Sequence, residues 1–150
     1  MTTTEIRTPQ TRRTGAAVGA YAAGALATLA GLAYTVADQA ALHGLDRHLH
    51  AMYDPVGKYG QAGPLYAYLY VVGVLGIVCF AWALRRAQAG SGRALSVTLL
   101  VLALLPVFAP VLITEYGSSV VPLSLLAGLI VGWVCGLIGT VALFRGTGKA

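Results

Sequence analysis

Four apolar runs, at 14–37, 64–84, 94–114 and 120–144, limit what this sequence can fold into. A bilayer core of roughly 30 Å is crossed by about 20 helical residues rising about 1.5 Å each, and every run is long enough. Amide groups in hydrocarbon find no water, so each run must satisfy its own backbone hydrogen bonds. None of the four shows the two-residue alternation of a strand, which leaves helices. The expected fold is all-α: an integral membrane bundle of four transmembrane helices whose first partner is the lipid bilayer. Composition agrees, with 57% of residues hydrophobic and 10% charged; soluble domains carry about a quarter charged residues.

The breaks between runs fit this reading. Pro64 opens the second run where a first helical turn tolerates proline, and Gly90-Ser91-Gly92 reads as a turn between the second and third. Pro106 and Pro110 stand one turn apart in the third run and predict a kink or local unwinding there. Residues 1–13 are polar, threonine-rich and without periodicity, as expected of a disordered arm, and 145–150 form a short tail. The first run is longer than the apolar part of a signal peptide, so it reads as an anchor.

Basic residues give the orientation. Arg7, Arg12, Arg13, Arg85, Arg86, Arg93, Arg145 and Lys149 fall on one side and only Arg47 and Lys58 on the other, eight against two. Because Lys and Arg are retained on the cytoplasmic side, both termini and the 85–93 linker are expected in the cytoplasm, with the loop 38–63 outside. The expected location is the plasma (inner) membrane of a bacterium. The net charge of +5 is scattered at the ends of the runs, which suits orientation and anionic lipid rather than nucleic acid. Seven of the eight tyrosines fall toward the outer side, consistent with an interfacial belt or with a tyrosine-lined outer pocket.

Helices in lipid associate through small residues and a few polar contacts. The first run carries Gly15, Gly19, Ala23, Ala27, Gly31 and Thr35 at four-residue spacing, and the fourth carries Ser124, Gly128, Gly132, Gly136 and Thr140. Both stripes predict close packing within the bundle. Gly128, Gly132 and Gly136 are also the expected face for a homo-oligomer or a partner membrane subunit.

The polar stretch 38–63 holds all three histidines. Leu42, Leu45, Leu49 and Met52 recur at helical spacing, with His43, Asp46, Arg47 and His50 opposite, which predicts a short amphipathic helix at the outer face. His43, Asp46 and His50 share a side, and two imidazoles with a carboxylate suit zinc. Their spacing covers about 10 Å along a helix, so one ion would need inward-leaning side chains or a distorted helix. No cofactor is expected otherwise; zinc or haem at the histidines is the exception.

No catalytic constellation stands out. Charge is missing from the middle of every run, where proton and ion paths place it, and Ser118-Ser119 lacks a neighbouring histidine. Cys79 and Cys135 are isolated inside apolar runs. The expectation is a non-enzymatic structural or accessory subunit. Its alternatives are a transporter or lipid/quinone-binding protein with an outward-facing pocket, and a metal- or haem-linked membrane enzyme.

Overall fold

The computed structural model describes residues 9–89 and 91–145, with side chains from residue 15 onward. Helix α1 covers Pro9–Ala37 and widens into a π-turn at Asp38–Leu42. Helix α2 is Gly44–Tyr53, followed by a single 3-10 turn at Asp54–Val56. The chain continues through α3 (Ala62–Gln88), α4 (Arg93–Leu112), two short strands β1 (Thr114–Glu115) and β2 (Ser118–Ser119), and α5 (Leu123–Arg145). Four of these helices, α1 with its π-turn, α3, α4 and α5, are long and apolar enough to cross a membrane. The fold is an all-α four-helix membrane bundle carrying a short amphipathic helix, α2. Residues 1–8 of the polar arm, Gly90 of the linker and the tail 146–150 lie outside the described residues; α1 begins inside the stretch read as an arm.

Successive long helices run in opposite directions. In contact they form the row α3, α1, α5, α4, with α1 and α5 most extensively joined and α3 barely touching α4. One end of the bundle carries α2 and the strands (the cap end); the other carries Arg85, Arg86, Arg93 and Arg145 (the arginine end).

Small residues let α1 and α5 approach, on α5 through Gly128 and Gly132 of its four-residue stripe, but on α1 not along the stripe. The buried line on α1 is Ala17, Tyr21, Gly24, Thr28, Thr35 and Asp38, with half-buried Gly31 completing it; Gly15, Gly19 and Ala23 are exposed. A four-residue step overshoots a full turn by about 40°, so a strict stripe of that kind winds around its helix. Alternating steps of four and three average about 3.5 residues and keep to one seam. On α5 the corresponding line is Leu125, Leu129, Gly132, Gly136 and Gly139, and Ser124 is exposed. The tightest approach joins Gly31 to Gly128: a Cβ on Gly128 would lie 2.5 Å from the Gly31 Cα. A Cβ on Gly132 would lie 2.4 Å from Thr28 Oγ1, and one on Gly136 3.4 Å from the Phe80 ring. All three glycines expected to face a partner are therefore in contact within their own chain.

Helix α4 continues through Pro106 and Pro110 instead of unwinding. Proline has no N–H, so Pro110 leaves the carbonyl of Pro106 without its helical donor. The Tyr68 hydroxyl on α3 donates to that carbonyl. Nearby, Trp133 Nε1 of α5 donates to the Leu100 carbonyl at 3.0 Å.

The connection from α4 to α5 is a tight hairpin pairing Thr114 with Ser119 and Glu115 with Ser118. Tyr116 and Gly117 both have positive φ, 50° and 84°, the sign pattern of a type I′ turn, whose twist matches that of paired strands.

Candidate functional site

At the cap end the organising side chain is Asp38, only 2% exposed. Its Oδ1 accepts from the Gly44 N–H at 3.0 Å; its Oδ2 accepts from the Leu45 N–H at 3.0 Å and from the Tyr66 hydroxyl at 2.8 Å. These amides open α2, so a carboxylate from the end of α1 caps the next helix and meets the positive end of its dipole. Gly44 has to be glycine for this, because a Cβ there would lie 2.5 Å from Asp38 Oδ1. Leu45, Leu49 and Met52 then pack onto Tyr66, Leu69, Val107, Val121 and Leu125 and close the cap end of the bundle. Leu42, expected on this stripe, is 48% exposed because it belongs to the π-turn.

Side-chain contacts fasten the cap to the hairpin. The Tyr53 hydroxyl donates to Glu115, Lys58 Nζ donates to the Tyr116 hydroxyl at 2.6 Å, and His48 Nε2 lies 2.8 Å from the Ser119 carbonyl. The rings of Tyr53 and Tyr116 meet edge to face at 5.6 Å. The hydrogen bond to the Glu115 carboxylate raises the pKa of Tyr53, and the hydrogen bond to the Tyr116 hydroxyl raises that of Lys58.

His43, Asp46 and His50 form two separate exposed contacts rather than a trio. His43 Nδ1 is 3.7 Å from Asp46 Oδ2, and His50 Nδ1 is 3.3 Å from Asp54 Oδ1. The cause is local: His43 is not on α2 but adopts the left-handed conformation (φ 50°) that ends the π-turn. Among the described residues, no three His, Cys, Asp or Glu side chains are grouped to hold one ion. The tyrosines do not gather around an outward pocket; Tyr66, Tyr68 and Tyr70 bond to Asp38, the Pro106 carbonyl and Gln39 respectively.

The space for a guest lies elsewhere. Where α3 and α4 meet only sparsely, a cavity of about 270 Å³ runs between them, floored by α1 and α5. Its α3 wall includes Val72, Gly76, Cys79, Phe80 and Ala83; its α4 wall includes Ser96, Leu99, Leu100, Ala103, Pro106 and Val107; Trp133 and Leu129 close the floor. From Ser96 to Val107 the slot is about 16 Å deep at about 1.5 Å per residue, close to half of a hydrocarbon core of roughly 30 Å.

One end of this slot is polar. The Tyr21 hydroxyl donates to Ser96 Oγ at 3.0 Å and lies 3.3 Å from Thr140 Oγ1, which donates to the Gly136 carbonyl at 2.9 Å. Ser96 enters this cluster as an acceptor. The lining includes hydroxyls, an indole and a thiol but no carboxylate, imidazole or cation. That chemistry suits holding an apolar molecule by one polar end; it offers no proton-transfer pair. Sequence inspection missed the slot because it arises from how loosely two helices meet, which no residue pattern displays. No protein-family description, curated protein or solved structure matches this chain.

Proposed function

We propose that the protein is a non-enzymatic accessory protein of a bacterial plasma membrane that holds a lipid-class molecule between α3 and α4. The observation that carries this is the apolar slot between α3 and α4, which are far less closely joined than α1 with α5 or α1 with α3. A gap in a membrane bundle is filled from the nearest solvent, and that solvent is acyl chain. The eight-to-two distribution of basic residues supports an orientation with termini and arginine end in the cytoplasm and the cap outside. The glycine seam supports a self-contained bundle more than a subunit interface, since its glycines are engaged inside the chain.

The test uses Trp133, which lines the slot, as its own reporter. With Trp82→Phe it is the sole tryptophan, because the chain has two. Reconstituted in phosphatidylcholine vesicles, the Trp133 emission should be quenched by brominated acyl chains. Ala103→Phe, which fills the slot, should relieve most of that quenching. Unchanged quenching in Ala103→Phe means that Trp133 senses only surrounding lipid, and the reading fails.

A further inference from the structure

Resting on that lipid-binding reading, we infer that the occupant is an anionic phospholipid from the leaflet at the arginine end, with one chain in the slot and its headgroup at Arg86 and Arg93. Along α3 the slot is lined by Val72, Gly76, Cys79 and Ala83. These positions advance by four and three residues, and the next one on the same face is Arg86. Along α4 the lining runs back from Val107 through Ala103 to Ser96, and the next position outward on that face is Arg93. Residues three apart share a helix face, so each wall of the slot carries a guanidinium one turn beyond its last lining residue.

Three further observations agree. The hydroxyl cluster of Tyr21, Ser96 and Thr140 lies at this same end, so the slot grades from apolar to polar to cationic toward the arginine end. All four carboxylates among the described residues, Asp38, Asp46, Asp54 and Glu115, lie at the cap end, so no described acidic side chain stands at the end that carries Arg86 and Arg93. The linker holds the two helix ends together: a Cβ on Gly92, which has φ 108°, would lie 2.7 Å from the Arg86 Cβ. A planar guanidinium pairs with phosphate through two parallel hydrogen bonds. A slot of about half the hydrocarbon thickness accepts the chain of one leaflet rather than spanning both. Arg85, one residue along from Arg86, points about 100° away from the slot and serves as the internal control.

The experiment places the Trp82→Phe protein in phosphatidylcholine vesicles containing a small fraction of either brominated phosphatidylglycerol or brominated phosphatidylcholine. Brominated phosphatidylglycerol should reach half-maximal Trp133 quenching at a roughly thirtyfold lower mole fraction, the order expected for two basic residues at an anionic headgroup. Arg86→Gln combined with Arg93→Gln should abolish that preference, and Arg85→Gln should keep it. Equal quenching by the two brominated lipids would overturn the anionic selection while leaving the lipid slot intact. A preference that survives in the double variant would overturn the headgroup placement. Quenching by both lipids that Ala103→Phe does not relieve removes the slot reading itself, so the two failures are distinguishable.

Discussion

Asp38 shows how much of this fold rests on single atoms. It accepts three hydrogen bonds while nearly excluded from solvent, joining α1, α2 and α3 through one carboxylate. Asp38→Asn keeps the volume but replaces one acceptor oxygen with an NH2 group, which must face either a backbone N–H or the Tyr66 hydroxyl donor. Leaving a buried donor unmatched costs about 1–3 kcal/mol. The expected result is a lower unfolding midpoint in detergent, followed by circular dichroism. Asp54→Asn, at an exposed carboxyl, should change the midpoint little; equal losses would mean that Asp38 does not organise the cap. The sequence displays Asp38 as one polar residue after an apolar run, with nothing to show that its partners lie six, seven and 28 residues away. His43 is similarly opaque: helical spacing put it on α2, whereas its left-handed backbone separates α1 from α2.

At the scale of elements, the number and type of helices are legible because hydropathy and length decide them, while the phase of their contacts is not. Both glycine-bearing runs pack closely, as their composition implies, yet on α1 the seam follows a 3.5-residue repeat rather than the four-residue stripe that the eye picks out. On α1, Gly31 belongs to both patterns and Gly19 only to the stripe; on α5, the stripe glycine Gly128 meets Gly31. Gly128→Leu should therefore destabilise the bundle by about 1–3 kcal/mol or more, because backbone rather than a flexible side chain stands in the way. Gly19→Leu, with nothing within 4 Å of its Cβ position, should unfold at or above the wild-type midpoint. Comparable losses in the two variants would mean that the seam is misplaced. The α4–α5 hairpin was hidden for another reason: its turn is Tyr-Gly, and a tyrosine with positive φ is not what turn chemistry leads one to expect.

For the whole molecule, the arrangement divides labour between its ends. The cap end is sealed by α2, by the Asp38 hydrogen bonds and by the ties to the hairpin; the arginine end is where the slot becomes polar. The proposal of which end faces the cytoplasm rests on charge alone, and it is open to direct measurement. In a background with Cys79→Ala and Cys135→Ala, single cysteines replacing Lys58 and Ser118 at the cap end should react with a membrane-impermeant thiol reagent in intact cells. A cysteine replacing Gly90 in the linker between α3 and α4 should react only after the membrane is permeabilised. The physical basis is the energetic preference for retaining Lys and Arg on the cytoplasmic side during insertion, applied to a sequence in which eight of the ten basic residues stand outside the 38–63 loop. Labelling of Gly90→Cys alone in intact cells would invert the molecule. It would also move the lipid proposed for the slot from the cytoplasmic leaflet to the outer one, where the supply of anionic phospholipid differs, so the topology measurement constrains the ligand as well.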